Sequence, residues 1–119
     1  MTTTSDISRA EAQDALCSVV RLLARAADQA AGQATDAGTG PRQVGLLALS
    51  LGAQLVAGQA LELLPVSAEV DEPIPLQTDP LQLLRAAEAL TRMHPIVAFP
   101  TGTSAVIVAI CHLIREHHS

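Results

Sequence analysis

The first third of the chain shows the spacing of an amphipathic helix. Over residues 8–33, apolar side chains recur every three or four residues and charged side chains occupy the opposite face. Ser8 followed by Glu11 matches the S-x-x-E capping box, in which both side chains bond backbone N–H groups at a helix start. The pattern therefore predicts a first helix over residues 8–33, and residues 1–6 are expected to be disordered.

The next segment, residues 43–61, is a run of nineteen residues without a charged side chain. Pro41 suits the first turn of a helix, where its missing N–H is not needed, and Pro65 limits the other end. A second helix is therefore predicted over residues 41–64. It is long enough either to cross a bilayer or to form the core of a small soluble domain.

Polar side chains on this second helix favour the soluble interpretation. Gln43, Ser50 and Gln54 share one side, and a lipid-exposed span seldom carries such a stripe because unsatisfied amides are costly in hydrocarbon. The aromatic belts and flanking Lys/Arg clusters of membrane spans are also missing from the sequence. We therefore expect protein around this helix, and membrane association is the less favoured alternative.

The segment 66–78 carries two prolines and three acidic residues and shows no helical periodicity. Connections of this length are uncommon inside a compact domain. It is predicted to be a long acidic loop that either crosses the domain or docks a partner in extended form.

A third helix is framed by residues that start and stop helices. Thr78 or Asp79 can cap it, with Pro80 in its first turn. His94 precedes a proline, which disfavours helical backbone and predicts an end near Met93.

The last predicted element covers residues 103–118. Its β-branched stretch, residues 105–111, leaves open a strand that pairs with residues 95–99 as a hairpin. His112, Arg115 and Glu116 cluster on one side at helical spacing and do not alternate, so a helix is favoured.

These elements predict an all-α, four-helix bundle-like single domain over residues 1–119, with the nearly uncharged second helix at its centre. The chain has a formal net charge of −5, no lysine and one aromatic residue, Phe99. Nucleic-acid binding is not expected, because such proteins need cations for the phosphates and often rings that stack on bases.

The use of arginine without lysine, together with abundant alanine, is typical of a GC-rich bacterial genome. Cys17 and Cys111 are too few for a disulfide framework, and the start of the sequence does not resemble a signal peptide. A cytoplasmic location is therefore expected.

No residue pattern amounts to a catalytic, cofactor or metal signature. His112 and Glu116 lie four residues apart, but a stable metal site needs three or four ligands. Residues 100–105 place a glycine and three hydroxyls at a helix start, which suits N-capping by Thr101 or Thr103. They lack the spacing and the lysine of a phosphate-binding P-loop. Enzymatic activity is therefore left open but not favoured, and neither a cofactor nor a metal is expected.

The uncharged polar stripe is the most specific feature of the second helix. Ser50 and Gln54 are expected to face a subunit interface or a ligand cavity, because a stripe in bulk water would normally acquire charges. Gly45 and Gly52 lie seven residues apart on one face and allow another backbone to approach closely. We therefore predict a non-catalytic, self-associating accessory or regulatory module, most simply a dimer.

The alternative function is a sensory or enzymatic protein that binds a small molecule in an apolar cavity inside the bundle. Ser50, Gln54 and His112 would then supply its few polar groups. The predicted partners are thus a second copy of the chain, another protein or an apolar small molecule.

Overall fold

The computed structural model describes the backbone of residues 4–65 and 79–117, with side chains from Arg9 onward. The described residues form four α-helices, a short 3₁₀ helix and no strand. The elements are α1 (Thr4–Ala37), α2 (Pro41–Glu62), α3 (Pro80–Arg92), the 3₁₀ helix (Ile96–Ala98) and α4 (Thr103–His117). The predicted all-α class with four helices is confirmed. The predicted loop over residues 66–78 lies outside the described residues.

The first helix is longer than its apolar pattern predicts, by four residues at each end. It begins at Thr4, so Ser8 lies inside the helix and the prediction that Ser8 caps it is wrong. The other end is set by Gly38, whose φ of 78° is in the left-handed region that favours glycine. Residues 1–6, predicted to be disordered, are described only from Thr4 onward.

Proline and glycine define the limits of α2. Gly40 at its N-cap has φ 122°, and Pro41 follows in the first turn, as predicted. The last turn is closed by backbone bonds from Leu63 to Ala60 and from Leu64 to Leu61, each 3.1 Å long. The helix therefore ends at Glu62, two residues before the predicted boundary.

The start of α3 agrees with its capping residues. The Asp79 carboxylate accepts a hydrogen bond of 3.1 Å from the Leu81 N–H, and Pro80 occupies the first turn. The helix ends at Arg92, one residue before the predicted end, and Met93 occupies the C-cap position.

The fourth helix resolves the choice between helix and strand. Residues 105–111 are helical, so the helix is confirmed and the hairpin alternative is wrong. Val106, Ile110 and Leu113 are buried at helical spacing, and this packing outweighs the strand preference of the β-branched residues. The Thr103 hydroxyl donates a 2.7 Å hydrogen bond to the Pro100 carbonyl at the helix start.

The hydrophobic core lies between α1 and the other helices. α1 packs against α2 and α3, and α4 packs against the same two helices from the other side. Leu16, Val19 and Leu23 of α1 are fully buried, whereas α2 buries Leu49, Ala53, Val56 and Ala60 with Ser50. The predicted central position of the second helix is not confirmed by these contacts, since α1 has the longer buried face.

Candidate interface on the second helix

One face of α2 exposes a row of large apolar side chains. The row has five members, which at 100° per residue fall within a sector of about 120° around the helix and extend along roughly 25 Å of it. We call this row the α2 seam. Its members and their exposed fractions are Val44 (64%), Leu47 (50%), Leu51 (59%), Leu55 (61%) and Leu61 (51%).

The opposite face of α2 explains why the seam is left uncovered. Leu49, Ala53, Val56 and Ala60 already belong to the hydrophobic core. A helix that is apolar on all sides normally has protein all around it. Within the described part of the chain, no side chain covers the seam enough to bury any of its five members. About a third of the helix circumference is therefore left without an apolar partner among the described residues.

Polar side chains border the seam on both sides. Gln59 is exposed beyond one edge of the row, and Gln54 is exposed near the other edge, within about 20° of Leu47 and Leu61 around the helix. Glu62 is exposed at its C-terminal end, in line with Val44 and Leu55. The surface thus has an apolar centre and a polar rim, which is the usual anatomy of a protein–protein interface.

An exposed glycine interrupts the seam. Gly58 lies in line with Leu47 and Leu51, and a Cβ atom built on it would meet no other atom within 4 Å. It therefore forms a notch in an otherwise bulky row. Glycine weakens a helix by about 1 kcal/mol relative to alanine, and no described residue packs against Gly58 to offset that loss.

The predicted polar stripe divides into two different environments. Ser50 is buried, and its hydroxyl donates a 2.9 Å hydrogen bond to the Ala27 carbonyl of α1. Gln54 is exposed at the edge of the seam. Ser50 thus fixes α2 against α1, and of the two residues only Gln54 lies at the exposed surface of α2.

The other predicted site residues are spread over the fold. Gly52 faces Leu113 of α4, whereas Gly45 borders open space. His112 is exposed on α4. Because His112 and Gln54 are exposed and Ser50 is buried against α1, the structure does not gather these three polar groups around one enclosed cavity.

The sequence pattern does not single out the seam residues or Gly58. The signal that could have found the seam is the amount of apolar surface on α2. The helix is apolar on nearly all sides, and three amphipathic helices cannot cover all of that surface.

A shallow pocket of about 220 Å³ lies where the ends of the four helices meet. Arg42, Leu46 and Leu49 of α2 border it, together with Asp79 and His117. Across residues 4–65 and 79–117, no three His, Cys, Asp or Glu side chains are grouped so that they could hold a metal ion. No disulfide joins Cys17, which is buried, to Cys111, which is partly buried.

Length and composition mark α2 as the one described helix that could cross a membrane. A third of its most apolar window, 33%, is buried inside the protein. One such helix is weak support for a membrane span, because a mostly buried core helix of a soluble protein passes the same test of length and composition. The compact fold is consistent with a soluble protein.

The fold and the seam define an all-helical protein with one incompletely covered helix. Comparison with protein-family models, with curated proteins and with solved structures gives no significant match. The functional argument therefore depends on the residues of this chain.

Two glycines on α2 give a paired test of its packing. Gly45→Ala should stabilise the fold by about 0.5–1 kcal/mol, because the new methyl group enters open space and alanine favours the helix. Gly52→Ala should be the less stable of the two by about 1 kcal/mol or more, because its Cβ would collide with the buried Leu113 side chain. Urea unfolding of both variants measures the difference, and equal stabilisation would contradict the α2–α4 contact.

Proposed function

We propose that this protein is a small, non-catalytic accessory or regulatory module of the bacterial cytoplasm that works as a homodimer through the α2 seam. In that assembly α2 has its own chain on one face and a second copy on the other. The second helix then becomes the central helix of a bundle-like arrangement that neither copy completes alone.

The exposed seam is the observation that carries this proposal. Monomeric soluble proteins rarely expose contiguous apolar patches larger than a few hundred Å². Each seam side chain is at least half exposed. Burying a leucine fully is worth about 1.5–3 kcal/mol, so covering five half-exposed side chains on each of two copies provides a substantial driving force for association.

The polar rim favours protein over lipid as the partner of the seam. Gln54, Gln59 and Glu62 would all be carried toward hydrocarbon if α2 lay in a bilayer, where unpaired amides and carboxylates are costly. At a protein interface the same groups remain at the hydrated edge. Ser50, bonded to Ala27, also ties α2 to α1 and favours a helix that stays with its own domain.

Cross-linking tests whether the seam meets a second copy. In a Cys111→Ala background, Leu51→Cys places a thiol on the seam, and Gln82→Cys places one on the exposed surface of α3. A short bis-maleimide should join Leu51→Cys chains into covalent dimers at low protein concentration and leave Gln82→Cys chains monomeric.

The other possible coverings of the seam give different results in maleimide labelling and in sedimentation with lipid vesicles. A monomer whose Leu51→Cys thiol resists maleimide would show that the chain's own residues 66–78 cover the seam. Co-sedimentation of the protein with lipid vesicles would indicate that a membrane covers the seam. Either outcome, or equal cross-linking of both variants, would contradict the proposed dimer.

A further inference from the structure

We infer that the two copies pair with their α2 helices antiparallel, about a two-fold axis close to Leu51 and Leu55, so that Leu47 of each copy fills the notch over Gly58 of the other. This arrangement rests on the proposed dimer and adds its geometry. Three features of the seam support it.

The first feature is the spacing of the seam. Leu47 and Gly58 lie at equal distances on either side of a point between residues 52 and 53, and Leu51 and Leu55 are centred on almost the same point. Val44 and Leu61 share the first centre but lie about 100° apart around the helix. A two-fold axis perpendicular to the helix and in the plane of contact brings positions at equal distances to the same height, because a two-fold interface uses the same surface on both copies. Leu47 then faces Gly58, and Val44 and Leu61 lie level with each other on opposite edges of the contact.

The second feature is the notch. Gly58 and Leu47 lie within about 20° of each other around the helix, so the antiparallel pair sets a bulky side chain against open space. A parallel pair would instead set Gly58 against Gly58 and leave a void between the helices. Interiors pack at high density and voids are destabilising, so the antiparallel arrangement is favoured.

The third feature is the charge on Glu62. It is the one acidic residue of α2, and it is in line with the seam. A parallel pair would bring two such carboxylates together at the same end of the interface. An antiparallel pair places each carboxylate beside Val44 of the other copy, at a helix start whose N-cap Gly40 gives no side-chain hydrogen bond.

Two cysteine variants, in which the buried Cys17 is the one other thiol, distinguish the orientations. Val44→Cys and Leu61→Cys, each in the Cys111→Ala background, are given tags of different size, mixed and treated with a short bis-maleimide. The antiparallel pair predicts that the main product joins one Val44→Cys chain to one Leu61→Cys chain. Self-linked Val44→Cys and self-linked Leu61→Cys dimers without the mixed product would overturn the orientation and leave the dimer itself standing. No covalent dimer in any mixture would overturn both.

The notch has its own test. Gly58→Leu should weaken the dimer about 10- to 100-fold, because two leucines would then compete for the same space. Gly32→Leu is the matched control, since Gly32 is also exposed in a helix with no atom within 4 Å of its Cβ position. Its dissociation constant should be unchanged. Circular dichroism checks that both variants keep their helices. An unaltered dissociation constant for Gly58→Leu would overturn the packing over Gly58.

Discussion

Replacing Leu51 with glutamate is expected to convert the dimer into a folded monomer. Leu51 is 59% exposed in the single chain, so a glutamate there can remain hydrated and the helix should persist. In the dimer the same position lies beside the proposed axis, and both new carboxylates would be taken out of water close to each other. Burying an unpaired charge costs several kcal/mol, so the dissociation constant should rise by about 1,000-fold or more.

Size-exclusion chromatography with light scattering measures this change, and circular dichroism reports the helix content. Gln82→Glu is the control, because it adds the same charge at an exposed position of α3 that lies away from the seam. It should leave the dimer intact. A Leu51→Glu protein that remains dimeric would exclude the α2 seam as the interface. A Leu51→Glu protein that unfolds would show that the α2 seam supports the single chain.

Replacing Ile110 with alanine is expected to destabilise the fold by about 2–5 kcal/mol. Ile110 is fully buried in α4 and belongs to the hydrophobic core, so the truncation removes apolar contacts and leaves a cavity. Most of the stability of a domain of this size could be lost, since small domains have only about 5–15 kcal/mol. Urea unfolding followed by circular dichroism measures the effect.

Val108→Ala is the control for this core substitution. Val108 lies two residues from Ile110 but is 55% exposed, because positions two apart in a helix lie on nearly opposite sides. Its truncation should change stability by less than about 0.5 kcal/mol. In a strand the two residues would share one face, so large and similar losses for both variants would contradict the helical structure of residues 105–111.

The third and fourth helices were predictable because local chemistry fixes them. Asp79 and Pro80 define where α3 begins. The helix ends just before His94, whose following proline disfavours helical backbone. In α4 the grouping of His112, Arg115 and Glu116 correctly outweighed the β-branched residues. The start of α1 was not predictable in this way. Ser8 fits a capping motif as well as any true cap, and the upstream residues 4–7 show no apolar pattern.

The orientation of α2 could not be deduced from its own residues. An amphipathic helix has a polar face that marks its exposed side, but between Val44 and Leu61 the exposed polar side chains of α2 are Gln54 and Gln59 alone, and Ser50 is turned inward. Which apolar side is packed is decided by the contacts of α1 and α4. The sequence therefore indicated that α2 needs protein around it, while the seam and its notch at Gly58 emerged only from the tertiary fold.

Sedimentation equilibrium of the unaltered protein tests the central claim most directly. Over a concentration range of about 1–100 µM, mass action shifts a reversible dimer toward its associated form. We expect the weight-average mass to approach twice the chain mass of 12.4 kDa as concentration rises. A mass that stays at 12.4 kDa throughout, for a folded protein, would contradict the account.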